Sequence, residues 1–512
     1  MRLKKLQRLV YGRTLIVIAA LLIQFFLFYA LIYALSLNYS FIYALSIPLA
    51  LGCTLFILND KKNPSFKLVW VIPILLFPIF GTLFYIYTRA QLASRLMNKR
   101  LGKNIAQTKV ALPQDEETLE RLGGADLGER NLAIYMNQYS AAPAFDGTKA
   151  AYFPSGEAKF TALKEELEKA RDFIFMEYFI IERGVMWDAL LEILARKAGE
   201  GVEVRLMYDG MCSLSLLPRT YPKTLRALGI ECRPFLPISP VISTVQNNRD
   251  HRKITVIDGK VAFTGGVNFA DEYINEKPRF GHWRDSAIML EGPAANSFTC
   301  LFLQIWNTNR ANGHDDYAKY LRHDSAHRDV PGYFMPYGDS PLDDEQLARN
   351  VYIDIISRAK KYIHITTPYL IPDNEMLTAL QYAAKRGVET IVVMPHVPDK
   401  KTAYYLARTF YPELLTAGVR IFEYTPGFMH AKMFVSDDVR AVVGTINIDF
   451  RSLYLHFECG VYCYQSPVIA DIEADYQDIL QKCEEISLKN CKDYRLAGRI
   501  AGWALRLFAP LM

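Results

Sequence analysis

Apolar and polar positions are unevenly distributed along the chain. The first ninety residues hold three stretches without a charged side chain, 14–37, 41–58 and 68–88. Crossing a bilayer as a helix takes about 20 apolar residues, so the pattern predicts a membrane segment over 1–92 with two to three spans. A cleaved leader fits the pattern poorly, because the apolar run is too long and two more follow it. Pro73, Pro78 and Gly81 interrupt the third stretch. Residues 93–130 turn polar and predict a linker with a short helix. Beyond them the period changes. β-rich runs over 172–181 and 361–371 each precede an amphipathic helical pattern, 187–198 and 375–385. Each helix is followed by a further apolar run, GVEVRLMYD at 201–209 and GVETIVVMP at 387–395. Strand, helix and strand therefore recur in the same order, which predicts an α/β fold of two α-β-α sandwich domains, 131–330 and 331–490. Residues 491–512 predict a C-terminal amphipathic helix.

Charge adds orientation. Arg2, Lys4, Lys5, Arg8 and Arg13 precede the first apolar stretch, and Lys61, Lys62 and Lys67 follow the second. The positive-inside rule then places the N-terminus in the cytoplasm. Arg89, Arg95, Lys99, Arg100 and Lys103 follow the third stretch and also belong inside. Three full crossings would put them outside. A third stretch that enters and returns, or lies in the interface, removes the conflict and leaves the body cytoplasmic. The 512 residues are 51% hydrophobic and 22% charged, with a net charge of +5. That excludes a disordered chain and a nucleic-acid coat, so no nucleic-acid partner is expected. Eight cysteines without a CxxC pair exclude a disulfide scaffold and a zinc cage, and Cys459 and Cys463 read as strand-core thiols.

The sharpest signal is a repeated frame. Residues 251–268 read HRKITVIDGKVAFTGGVN and residues 430–447 read HAKMFVSDDVRAVVGTIN. His251 matches His430, Lys253 matches Lys432, Asp258 matches Asp437 and Asn268 matches Asn447. The chain has only nine histidines, so two in one frame are not noise of composition. His-x-Lys on a strand puts both side chains on one face. The apolar run carries the strand into the core, and the Asp marks the turn that ends it. The Gly step allows close backbone approach, and the Asn can donate an amide hydrogen bond. Two facing copies would gather two imidazoles, two ammonium groups and two amides around one cavity. Such a cluster suits a phosphate diester: the cations stabilise charge on its oxygens, one imidazole attacks phosphorus and the other protonates the leaving oxygen. The lysines supply the charge a metal would otherwise provide, so neither metal nor other cofactor is expected.

With these motifs the sequence resembles the phospholipase D superfamily, from about residue 131 to 490. Within that superfamily it resembles the bacterial cardiolipin synthases. The N-terminal block LNDKKNPSFKLVWVIPILLFPIFGTLFYIY and the contexts TGGVNFADEY and GTINIDFRSLYLHFE carry that likeness. His456 departs from it, since the family commonly has Asn there. The resemblance implies two phospholipase D-like domains related by pseudo-two-fold symmetry, after N-terminal transmembrane helices. It implies a carboxylate orienting each histidine, Glu458 following His430 and Asp285 as the equivalent for His251. It makes His251 the nucleophile and His430 the acid/base, although nothing in the residues themselves separates that order from its reverse. Lys253, Lys432, Asn268 and Asn447 would hold phosphate oxygens, and Asp258 and Asp437 would stabilise the motif's loop and lysine. The implied reaction joins two phosphatidylglycerol molecules into cardiolipin with release of glycerol, in a bacterial cell membrane of anionic lipid. Acceptors other than phosphatidylglycerol, water among them, remain open. At the C-terminus Arg495, Arg499 and Arg506 form a stripe beside Leu496, Ile500, Trp503, Leu507 and Phe508. Such a helix suits an anionic membrane interface or packing on a domain.

Overall fold

The computed structural model describes residues 13–38, 40–89, 92–238, 244–308, 315–323, 327, 329–492 and 496–511. The expected basic cluster Arg2, Lys4, Lys5 and Arg8, and Arg495, lie outside the described residues. The first repeat contributes strands β1 (Lys149–Phe153), β2 (Phe173–Tyr178), β3 (Glu203–Asp209), β4 (Glu231–Phe235), β5 (Arg249–Asp250), β6 (Lys253–Ile257), β7 (Val261–Gly265), β8 (His282–Arg284) and β9 (Ala287–Glu291). The second contributes β10 (Tyr333–Asp339), β11 (Tyr362–Thr366), β12 (Glu389–Pro395), β13 (Arg420–Tyr424), β14 (Gly427–Met429), β15 (Met433–Ser436), β16 (Arg440–Gly444), β17 (His456–Tyr464) and β18 (Cys483–Ile486).

One sheet runs β1-β9-β7-β6-β2-β3-β4 and the other β10-β17-β16-β15-β11-β12-β13-β18. Position by position the two orders coincide, with β18 added at one edge. The duplication in the sequence is thus a duplication of fold. In each sheet the β2-β3-β4 or β11-β12-β13 part is parallel and the rest antiparallel. The predicted helices form as Val185–Gly199 and Asn374–Lys385 and cover the outer faces. Phe175, Ile254 and Val256 of one sheet share a single core with Val435, Val443 and Val461 of the other. Helices Ala295–Thr308 and Val468–Leu480 flank that core. Cys459 and Cys463 are buried in β17, as the strand pattern predicts.

Two expectations change. Residues 93–130 are not a linker with one short helix but mostly three helices, Leu92–Ala111, Glu116–Ala125 and Leu127–Ser140. Their few apolar positions, Leu101, Leu119, Leu122 and Leu132 among them, are buried against the body. A polar majority hid this, because one narrow stripe suffices for docking. The histidines are the second change. His251 and His430 do not lie on β6 and β15 but on the extended backbone just ahead of them.

The N-terminal block forms α1 (Arg13–Asn38), α2 (Ser40–Leu58), α3 (Pro64–Leu76) and α4 (Pro78–Arg89). The third apolar stretch is therefore two helices. Pro78 ends α3 at Phe77, and the chain folds back so closely that a Cβ on Gly81 would stand 2.6 Å from the Pro73 carbonyl oxygen. Arg89 at the end of α4 reaches Asp60 at the end of α2, 3.0 Å away. Both ends of the hairpin consequently lie beside the same end of α2. The start of α3 is tied to the second repeat, where Asn63 donates to Tyr454 Oη and Phe66 packs edge-on against Tyr454. Among the described residues, no helix is long and apolar enough to cross a membrane. The C-terminal helix, Leu496–Phe508, docks through Gly502 against Tyr405 and Thr409 and through an Arg506–Glu413 ion pair. It leaves Ile500, Trp503, Leu507 and Phe508 exposed.

Asp258 and Asp437 end β6 and β15 with φ of 53° and 56°. Asp258 accepts the backbone N–H groups of Arg171, Asp172 and Phe173 at 2.7–2.8 Å. Asp437 does the same for Lys360, Lys361 and Tyr362 at 2.8–3.0 Å. Each thus anchors the entry to the neighbouring strand. With β6 rising about 3.3 Å per residue, Asp258 sits at the strand end opposite Lys253 and does not reach it. Replacement Asp258→Ala should cost about 2 kcal/mol, since donors lose their acceptor, and should lower the thermal midpoint while folded enzyme keeps its turnover. Loss of turnover without loss of stability would contradict this assignment.

Candidate active site

The site is built where the two repeats exchange backbone. β5, just ahead of His251, pairs in parallel with the start of β17, through His456↔Arg249 and Phe457↔Asp250. β14, just ahead of His430, pairs in parallel with β8, through Trp283↔Phe428 and Met429↔Arg284. The histidine N–H groups extend both ladders: His251 donates to Phe457 O at 2.9 Å and His430 to Arg284 O at 2.7 Å. Glu458 is the third residue of β17, and Asp285 follows β8 directly. Each His-x-Lys segment is therefore held against the carboxylate of the opposite repeat.

The side chains follow that crossing. His251 Nδ1 lies 2.9 and 3.0 Å from the two oxygens of Glu458, and His430 Nδ1 lies 2.6 Å from Asp285 Oδ2. The pairing expected from chain order, Asp285 with His251 and Glu458 with His430, is reversed. Sequence spacing cannot show which repeat a strand pairs with. A carboxylate only accepts, so Nδ1 carries the proton and Nε2 is left with its lone pair. Both carboxylates are fully buried, and both histidines are 8% exposed. The repeats reach the same bond with different parts. Beside Asp285 stands Gly266, where a Cβ would come within 2.0 Å of Oδ1. Beside the longer Glu458 stands Thr445, whose hydroxyl donates to Oε2.

Lys253 and Lys432 are fully buried, and each ammonium donates to the backbone carbonyl of its own histidine. Burial lowers Lys253 to about 8 and Lys432 to about 7, the latter also repelled by Lys253. Burial likewise lowers His251 to about 3 and His430 to about 4, although their carboxylates pull the other way. Burial by itself would raise the Glu458 and Asp285 carboxyls, but the histidines and, for Asp285, Lys432 hold both below their ordinary values. At neutral pH the site thus presents neutral imidazoles over ionised carboxylates. Asn268 is already engaged, accepting from Ile180 N–H and donating to Tyr273 Oη. Asn447 is buried with Oδ1 unpartnered among the described residues. Asp258 and Asp437 stand apart from this cluster.

The arrangement offers two Nε2 atoms, each oriented by a buried carboxylate, with two ammonium groups behind them. It suits nucleophilic attack and proton transfer at a phosphoryl group. The donor atoms of His251, His456 and Glu458 also lie within 4.8 Å of one another, a spacing that could take a cation.

Comparison with known proteins agrees. The family described as "Cardiolipin synthase, PLD-like domain" matches residues 163–306 and 352–480, and "Phospholipase_D-nuclease N-terminal" matches residues 49–89. Cardiolipin synthase 2 of Bacillus cereus is 34% identical, over 90% of this chain and 89% of its own. The chain belongs to the cardiolipin synthase family. By that family it is a phosphatidyltransferase. An uncharacterized protein of Streptococcus mutans is 46% identical over 90% of this chain and all of its own. The fold is similar to that of phosphatidylserine synthase from Haemophilus influenzae, with a TM-score of 0.59 at 14% identity, covering 75% of this chain and 99% of that one. Within this cardiolipin synthase-type site, the rings around the histidines were not singled out by the motif. Tyr273, Trp283 and Phe428 surround His430, and Phe179 and His456 stand by His251. Trp283 and His456 were detectable in one respect, as each lies two residues before a site carboxylate.

Two outcomes follow from this geometry. Gly266→Ala should push Asp285 off His430 and lower phosphatidyl transfer by roughly 10²-fold, with the circular dichroism spectrum unchanged. Full activity would show that the close approach is dispensable. The pH profile of kcat/KM reports the free enzyme. The nucleophile His251 stays neutral down to pH values near its lowered pKa of about 3, so activity should not fall between pH 7 and 5. The lysines lose charge as pH rises through about 7 and 8, so kcat/KM should decline from pH 7 to 9. A plateau reaching the ordinary lysine range near 10.4 would contradict a role for these ammonium groups.

Proposed function

We propose that this protein joins two phosphatidylglycerol molecules into cardiolipin, releasing glycerol, through a phosphatidyl-histidine intermediate. What carries the reading is the pair of carboxylate-bound imidazoles, one from each repeat. In the first step the diester's negative charge draws a proton from solvent onto Nε2 of His430, Nε2 of His251 attacks phosphorus, and the P–O bond to glycerol breaks as His430 passes that proton to the departing oxygen. In the second, a headgroup hydroxyl of another phosphatidylglycerol gives its proton to His430 and its oxygen to phosphorus, and the P–N bond breaks. Lys253, Lys432 and Asn447 stabilise the charged oxygens, Asn268 supports the site through Tyr273, and Asp258 and Asp437 brace the motif loops. The reading divides the body into domains 131–330 and 331–490, a division that the two sheets support.

The same reading places residues 1–92 in the membrane, with the body on the cytoplasmic side. The α3–α4 hairpin supports a segment that enters and returns, since the Asp60–Arg89 pair keeps Arg89 on the side of Lys61, Lys62 and Lys67. The exposed Trp503 face of the C-terminal helix suits the interface of an anionic bilayer. A site closed to bulk water favours a lipid alcohol over hydrolysis.

Purified protein in mixed micelles with labelled phosphatidylglycerol should yield cardiolipin and glycerol in equal amounts, and His251→Ala and His430→Ala should each abolish both. Phosphatidic acid as sole product would replace the synthase reading with a hydrolase.

A further inference from the structure

The pseudo-symmetry breaks at one place that the mechanism does not use. Trp283 and His456 occupy equivalent positions, each two residues before the carboxylate that serves the opposite histidine. The Trp283 ring lies 5.3 Å from the His430 ring and the His456 ring 5.5 Å from the His251 ring. An indole on one side is thus an imidazole on the other. His456 is 9% exposed, and neither ring nitrogen has a hydrogen-bond partner among the described residues. Its Nδ1 stands 3.7 Å from Glu458 Oε1, beyond hydrogen-bond length. Buried polar groups without partners are rare enough to require a reason.

The cavity that His456 lines supplies one. It is small, with a volume of about 20 Å³, and is walled by Asp339, Ser340, Asp343, Glu345 and Tyr454. Burial raises Asp339 to about 8 and Asp343 to about 6, so its carboxyl groups include hydrogen-bond donors as well as acceptors at neutral pH. No Lys or Arg lines it. The wall therefore repels an anion and has nothing to pair with one, but offers several partners to a neutral group rich in hydroxyls. It has room for about one hydroxyl-sized group, so it can take the hydroxyl end of an alcohol whose remainder lies outside.

We propose that His456 and this cavity form a subsite for the neutral, hydroxylated end of the lipid headgroup, with His456 donating to or accepting from one hydroxyl beside His251. The proposal rests on the phosphatidyl-transfer reading and names the part of the site that selects the alcohol. It makes His456 a specificity residue and explains why an imidazole, not an indole, stands on this side.

The test offers phosphatidylglycerol-loaded micelles two competing acceptors, labelled glycerol and 1-butanol, and reads the ratio of labelled phosphatidylglycerol to phosphatidylbutanol formed by the full-length enzyme. His456→Leu keeps bulk and removes both nitrogens. It should lower that ratio roughly tenfold or more, because a site built for a hydroxyl then loses its partner. His456→Asn restores a donor and an acceptor and should keep the ratio within about threefold of the parent. An unchanged ratio in His456→Leu overturns the proposal. So does parallel loss of both products in both variants with the fold intact, which would place His456 in the chemistry of His251 instead. Absence of any phosphatidyl product from the parent enzyme would overturn the transfer reading itself, a distinguishable result.

Discussion

The exchange of two short parallel backbone pairings between the repeats is the constraint on which the site depends. β5 lies against the start of β17 and β14 against β8. These pairings are only two or three residues long, and alone they would be weak. They persist because both sheets bury their inner faces in one core behind them. Once the sheets are packed, the ladder fixes the backbone of each histidine beside the segment that carries its carboxylate, Glu458 within β17 and Asp285 just after β8. Neither His251 nor His430 finds its carboxylate in its own repeat. On the proposed mechanism the duplication is thus obligatory, because each imidazole takes its carboxylate from across the docked interface.

Electrostatics makes that interface expensive. Two lysines and two carboxylates are buried within one small volume. Desolvation disfavours every charge, and opposite charges across the interface offset part of that cost. The outcome is a set of groups far from their ordinary titration ranges: imidazoles kept neutral, carboxylates kept ionised, ammonium groups close to losing their protons. A phosphate diester entering such a site brings the negative charge that the lysines lack. Burial therefore prepares the site for the ligand that relieves it.

The two halves are equivalent in topology but not in detail. Gly266 makes room for a short carboxylate where Thr445 donates to a longer one. These are two local solutions to one geometric demand, the placing of an oxygen at histidine Nδ1. The rings beside the histidines serve no such shared demand and differ, an indole standing by His430 where an imidazole stands by His251. Divergence of that kind is expected where the halves of a duplicated site meet different ends of an asymmetric substrate.

Much of this protein was legible in the residues alone. The change of hydrophobic period announced two α/β units, because burial imposes a period of two on strands and 3.6 on helices whatever their partners. The repeated frame picked out His251, Lys253, His430 and Lys432, since few residue types can do nucleophilic and charge-stabilising work. The prolines and Gly81 in the third apolar stretch marked its break, because backbone restrictions are local. What the residues could not declare were the contacts between repeats. Which carboxylate orients which histidine, why the histidines stand ahead of their strands, the docking of the helices over 93–130, and the ring at His456 all depend on pairings across more than a hundred positions. Side-chain periodicity records which face is buried, but it carries no information on what buries it. That was decided only when the two sheets met.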